Sequence, residues 1–125
     1  MIPRMINLLK LSVGSVSVED HEDWQISQRP HWPPGQAIHV TRMWPKREAE
    51  VLDGGSLYWV IKGVIQCRQR ILDLQEVNFG DGIPRCALVL DAEIIRTEAA
   101  PRRPFQGWRY LDPKESPRDL PKGRV

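Results

Sequence analysis

Residues 54–77 read GGSLYWVIKGVIQCRQRILDLQEV. The glycine pair Gly54-Gly55 opens the stretch, and Leu57, Tyr58, Trp59, Val60 and Ile61 follow. A Lys62-Gly63 step interrupts it before it runs on through Arg68 and Arg70 to Leu72, Leu74 and Val77. Apolar, β-branched and aromatic residues bounded by glycine predict strand. At a period of two, Arg68 and Arg70 point to one face. One straight strand of this length is unusual. Gly63, with no Cβ, is therefore expected to mark a bulge or sharp bend. A twisted ribbon with one apolar and one basic face suits a polyanion better than bond-breaking chemistry.

Working outward, residues 5–12 (MINLLKLS) predict a first strand. Ser17 is placed to cap a short helix through Val18, Trp24 and Ile26, with Glu19 and Asp20 in its first turn, where carboxylates favour the positive helix end. Residues 29–36 (RPHWPPGQ) carry three prolines and a glycine, which predicts a surface loop bearing His31 and Trp32. Residues 38–44 (IHVTRMW) predict a second strand, with Ile38, Val40, Arg42 and Trp44 on one face and His39, Thr41 and Met43 on the other. Pro45 is expected to start a short helix that Asp53-Gly54-Gly55 ends. Asp81-Gly82, between strand-like runs, signals a hairpin. Residues 85–90 and 94–98 supply return strands, and Pro101 and Pro104 enforce an extended path into residues 105–111. The fold class this predicts is α+β, mostly β: a small mixed β-barrel with one or two short helices, closed so that no edge strand is left open.

The 125 residues allow one core. We expect a single globular domain over residues 1–111 and a disordered basic tail over residues 112–125, which are rich in proline and charge. At 41% hydrophobic and 27% charged, the composition excludes a membrane protein and a disordered polyampholyte. Net charge is only +2, but from Pro101 to Val125 seven arginines and lysines face three acids. That local field attracts phosphate. The apolar run in residues 5–13 is too short for a membrane helix, and no cleavage site follows it. Cys67 and Cys86 fall in different predicted strands, and a reduced cytoplasmic pair is the expectation.

Chemistry-bearing constellations are few. His21, His31 and His39 are widely spaced and no Cys-x-x-Cys pair exists, so no metal site is predicted. There is no Gly-x-Ser-x-Gly elbow, and the glycines lack the spacing of a nucleotide loop, so no cofactor is predicted. Cys67, between Gln66 and Arg68, reads as a packed thiol. Glu19, Asp20, Glu22 and Asp23 read as a solvated acidic face. The best constellation interleaves basic and aromatic residues in three places: Arg42 and Trp44; Trp59, Lys62, Arg68 and Arg70; and Arg102, Arg103, Trp108 and Arg109. Arginine forks suit phosphate oxygens, and aromatic faces stack on unpaired bases. The same residues also serve plain structural ends, with tryptophans in the core and arginines on a solvated sheet face.

The segments HVTRMWPKR (39–47), LDGGSLYWVIKGVIQCRQRILDL (52–74), DGIPRCALVLD (81–91) and RPFQGWRYL (103–111) resemble a family of small bacterial proteins, found mainly in alphaproteobacteria and catalogued as domain of unknown function 1489. The resemblance covers most of residues 5–112 and carries no catalytic residues with it. The strand arrangement also looks like the PUA and ASCH pseudo-barrels, which implies RNA or modified bases as ligands. The ASCH-type signature Gly-x-Lys-x-x-Glu-x-Arg is matched only loosely, because Lys62 to Arg68 is one residue longer and Gln66 replaces the acid.

The leading functional expectation is a non-catalytic module for RNA or single-stranded nucleic acid. Arg68, Arg70 and either Arg102 or Arg103 would neutralise phosphate, and Trp44, Trp59 or Trp108 would stack. Two alternatives stand beside it. One is a small-molecule pocket or an enzyme acting on a nucleotide-like anion, with its site at the barrel mouth and Lys62, Arg70, Asp73 and Glu76 as its polar groups. The other is a protein-interaction module built on Trp32 and the basic tail.

Overall fold

The computed structural model describes residues 4–121. Seven strands run in the order β1 (Asn7–Leu11), β2 (Gln36–Thr41), β3 (Ser56–Ile61), β4 (Val64–Val77), β5 (Arg85–Asp91), β6 (Ile95–Pro101) and β7 (Trp108–Leu111). Helix α1 (Val18–Gln28) and helix α2 (Glu48–Val51) flank β2. The mostly-β, α+β expectation holds.

β3 is the centre. All six of its residues are buried, as a continuous apolar run predicts for a strand covered on both faces. It pairs with β1 in parallel and with β4 in antiparallel fashion, placing Lys10 opposite Trp59. β7 adds to the other edge of β1, so Lys10 also lies opposite Trp108. Two apolar clusters divide the sheet. Leu8, Leu57, Trp59, Ile61, Cys67, Leu88 and Leu90 fill the inner one. Leu9, Tyr58, Val60, Ile65 and Leu111 form the outer one, beneath Ala100 and Phe105.

The long ribbon is two strands, not one bent strand. Lys62 and Gly63 take φ of 51° and 75° and reverse the chain in two residues. Positive φ at both central positions is the geometry that matches hairpin twist. The bulges lie elsewhere, at Gln66 and Leu72, where the register of β4 slips by one. The first slip turns Cys67 to the inner cluster although Ile65, two residues earlier, faces the outer one. β4 is the spine: its first half runs between β3 and β6, and its second half pairs with β5.

The strand path is β2-β5-β4-β3-β1-β7, with β6 on β4. β2 and β7 end that path and share no ladder among the described residues, so the sheet is open where a closed barrel is expected. The indole Nε1 of Trp108 crosses the gap to donate to the Met43 carbonyl at 2.8 Å. β2 stops at Thr41, which leaves Arg42, Met43 and Trp44 exposed beyond it.

Three local expectations need correction. Residues 29–31 form one turn of 3₁₀ helix that includes Pro30, and Trp32 packs against the inner cluster instead of standing free. Residues 112–121 are held in place and do not form a loose tail. Asp112 caps a 3₁₀ turn over Pro113–Glu115, Asn7 donates to Ser116 at 2.9 Å, and residues 118–120 bond to the edge of β6. The segment buries little apolar surface, so composition misses it; backbone hydrogen bonds and an Arg68–Asp119 ion pair hold it. Residues 122–125 lie outside the described residues.

Gly55 sits where α2 passes β1. A Cβ there would lie 2.3 Å from the Ile6 carbonyl oxygen and 2.4 Å from that of Val51. Both are backbone atoms that cannot step aside, so Gly55→Ala is expected to cost about 2–4 kcal/mol, read as a lower urea midpoint at unchanged slope. A loss below about 0.5 kcal/mol would show that the backbone yields at this crossing.

Candidate functional site

The ten basic and aromatic residues singled out in the sequence do not converge. Trp59 and Trp108 are 3% and 5% exposed and belong to the inner core, so neither presents a stacking face on the surface. Arg68 grips Asp119 with both prongs, Nε to Oδ1 at 2.8 Å and Nη2 to Oδ2 at 2.7 Å, and its Nη1 donates to Ser56. Arg102 donates to the carbonyls of Pro101 and Glu115. Arg109 lies over the Phe105 ring and Trp44 donates to Glu48. Lys62 stands at the hairpin tip, and Arg42, Arg70 and Arg103 are exposed on separate elements. Asp73 and Glu76 are exposed on the second half of β4, so the expected polar set of a barrel mouth is not assembled either.

A cavity of about 420 Å³ opens instead beside the unclosed gap in the sheet. Lys10 and Leu11 of β1, His39 of β2 and Trp59 of β3 line it. The loop of residues 12–15 and Asp20, His21 and Trp24 of α1 complete it. At its mouth Val13 is 91% exposed and Trp24 53%. Sequence reasoning passed over Lys10, Ser12 and Trp24, and set aside His21, Asp20 and His39. Lys10 interrupts an apolar strand, which is the one mark it carries.

α1 lies across the inner face and closes one wall. Ser17 caps it, accepting from the Asp20 N–H at 3.1 Å, while Asp20 Oδ2 accepts from the Val16 N–H at 3.2 Å. The residues the helix buries are Val18, His21 and Gln25, two of them polar. They join a directed chain of hydrogen bonds. Trp59 Nε1 donates to Gln69 Oε1 at 2.9 Å. Gln69 Nε2 donates to Gln25 Oε1 at 2.8 Å and to the Asp91 carbonyl at 3.0 Å. Gln25 Nε2 returns a bond to Gln69 Oε1 at 2.9 Å and meets His21 Nε2 at 3.1 Å. An indole N–H can only donate. Gln69 must therefore show it oxygen, Gln25 must show His21 its amide hydrogens, and His21 carries its proton on Nδ1. That proton goes to Ser12 Oγ at 2.8 Å, and Ser12 passes its own to Ser15. A histidine that donates to Ser12 does not act as its base, so the pair is no activated nucleophile.

The charges in the cavity are few. Burial lowers the Lys10 ammonium from its ordinary value, and no ion pair joins it to a carboxylate among the described residues. Burial lowers His21 too. His39 is pushed down to about 4, first by burial and then by the charges of Lys10 and His21. Both imidazoles are therefore neutral at pH 7. They flank Trp59, with ring centroids at 4.6 Å for His21 and 5.2 Å for His39, and His39 Nε2 is buried without a hydrogen-bond partner among the described residues. Though the two histidines come together, no cluster of three metal-binding side chains exists among the described residues. Cys67 and Cys86 are free, and burial pushes their thiols up to about 12 and about 11, so neither is a thiolate at neutral pH. No helix among the described residues is long and apolar enough to cross a membrane.

Residues 8–125 match the profile of DUF1489, described as a protein of unknown function, and the chain belongs to that family. A search of the curated proteins and one of the solved structures each found no match.

Three measurements check this site. Gln69→Leu removes both bonds that Gln25 makes to Gln69 and leaves the Trp59 N–H and the Asp91 carbonyl unpaired, so it is expected to cost about 2–4 kcal/mol. Long-range ¹⁵N–¹H spectra should show His21 protonated on Nδ1; the Nε2–H form would break the chain of inference. The pH dependence follows from His39. Its pKa falls from 6.5 unfolded to about 4 folded, so the unfolded chain binds protons that the folded chain refuses. The stabilisation is complete above about pH 6.5 and is lost as pH falls towards 4, amounting to roughly 3 kcal/mol. In urea titrations at pH 7 and 4.5, His39→Phe should flatten that loss, and an unchanged slope would assign it to other groups.

Proposed function

We propose that this protein binds a small organic anion with a flat apolar body in the cavity between β1, β2 and α1. The observation that carries the reading is Lys10, a half-buried ammonium among indole and neutral imidazole rings with no carboxylate partner among the described residues. Burying an unpaired charge is costly, and a ligand anion restores the balance. Trp24 offers aromatic surface to a planar ring, and Ser12 and Ser15 offer neutral hydrogen-bonding groups. A nucleotide-like anion is one member of this class. Binding is favoured over catalysis because the Ser12 hydroxyl accepts from His21 and the thiols stay protonated. An RNA-binding, PUA-like reading would rest on Arg42, Lys62, Arg70 and Arg103, which are exposed but scattered.

A panel of ring-bearing anions and of single-stranded and duplex nucleic acids, followed by tryptophan fluorescence and thermal shift, tests the reading. At least one small anion should raise the apparent stability, by about 2.7 kcal/mol at a hundred times its Kd. Lys10→Met should weaken that ligand at least about ten-fold, near 1.4 kcal/mol. The empty variant should be more stable than the parent, since a buried unpaired charge has become an apolar side chain. Loss of the reading would follow from no response to any small anion, or from equal binding by the variant. A response to nucleic acid alone would return the surface arginines to the front.

A further inference from the structure

The cavity has a charge pattern as well as a shape. Two ionised groups line it, Lys10 inside and Asp20 on α1, while His21 and His39 add no charge at neutral pH. Asp20 cannot swing away freely, because its Oδ2 takes the Val16 N–H and its own N–H is fixed on Ser17 Oγ. The rest of that helix is acidic: Glu19 is paired with Arg96, and Glu22 and Asp23 are exposed. An anion in the cavity therefore shares it with one held carboxylate and one ammonium.

We infer that the cavity selects aromatic monocarboxylates over phosphate monoesters, with Lys10 as its one cationic anchor and the held carboxylate of Asp20 as the filter. The inference rests on the anion-binding reading above and names the ligand class. Attraction to Lys10 grows in proportion to ligand charge, whereas the cost of removing that charge from water grows as its square. A carboxylate brings one charge and finds one partner. A phosphate monoester brings nearly two at pH 7, and the second stays unpaired in a half-closed apolar cavity whose other charged lining group is the carboxylate of Asp20. No arginine among the described residues lines the cavity to hold the extra oxygens in a fork.

The test uses one ring and two head groups, 1-naphthoate and 1-naphthyl phosphate, titrated calorimetrically at pH 7.5 into the full chain and into Lys10→Met and Asp20→Asn. Asparagine keeps an oxygen for the Val16 N–H, so the cap survives. The parent should bind naphthoate at least about ten-fold more tightly than the phosphate, the order of one unpaired charge at a partly solvated site. Asp20→Asn should narrow that ratio to about three-fold or less by improving the phosphate, and Lys10→Met should abolish naphthoate binding. Equal or tighter binding of naphthyl phosphate would overturn the selection while leaving the anion site intact. A ratio unchanged in Asp20→Asn would overturn the role of Asp20. Naphthoate binding that survives Lys10→Met would place it outside the cavity and overturn the proposal. No binding of either compound, with another anion of the wider panel bound through Lys10, would overturn the ligand class alone. No Lys10-dependent anion at all would sink both readings.

Discussion

The indole nitrogen of Trp59 can give a hydrogen and cannot accept one, and the arrangement around it follows from that. It fixes the Gln69 amide, which fixes Gln25, which fixes the proton on His21, which fixes Ser12. The chain crosses β3, β4 and α1, and reaches β5 through the Asp91 carbonyl. α1 needs it, because the sequence VEDHEDWQISQ has no apolar stripe and the helix docks on Val18, His21 and Gln25. Apolar burial alone would not orient such a helix. A fully satisfied buried network does so, since any rotation or slip strands several polar groups at once. The wall of the cavity that holds Trp24 and Asp20 is thus placed by one donor on the neighbouring sheet.

The cavity follows from the way the sheet fails to close. The bulges at Gln66 and Leu72 coil β4 enough to carry β5 and β2 round towards β1 and β7. The turn stops short of a ladder, and the Trp108 bond to the Met43 carbonyl takes its place. Between β1 and β2 the inner face is left with Lys10 and His39, residues that a closed barrel of this size would replace with small apolar packing. The opposite margin is treated differently. There residues 118–120 bond to β6 and Asp119 occupies the Arg68 fork, so an exposed edge and a free guanidinium are both covered by the chain itself.

Much of this frame is legible in the sequence because strands announce themselves locally. The apolar run of β3, the Ser17 cap and the Asp81-Gly82 turn each carry their signal within a few residues. Lys62-Gly63 was ambiguous for a physical reason: a glycine after a long strand can bend or reverse it, and only the register distinguishes the two. The site was harder to see. Val18, His21 and Gln25 fall at helical spacing, so the buried face of α1 is written in the sequence, but in polar letters that composition assigns to solvent. Lys10 and His39 are 29 positions apart, and nothing local shows that an open sheet brings them to one cavity. The arginines misled in the other direction. Arg68 looks like a phosphate ligand because a guanidinium fork fits any planar oxyanion, and here Asp119 supplies one.

The same logic separates the two cations. Arg68 was the more conspicuous in sequence, and its donors are matched by Asp119 and Ser56, so it asks for nothing further. Lys10 is inconspicuous and has no carboxylate partner among the described residues. A methionine or leucine there would continue the apolar strand and cost nothing in desolvation, so the ammonium weakens the empty fold. Local signals and global structure agree almost everywhere else along β1, and a disagreement of this kind is what a binding site leaves behind. His39, whose buried Nε2 has no partner among the described residues, lines the same space, so two independent shortfalls of polar satisfaction meet at one cavity. Each alone can be a local defect, and their coincidence beside an aromatic wall is what the proposed anion site rests on.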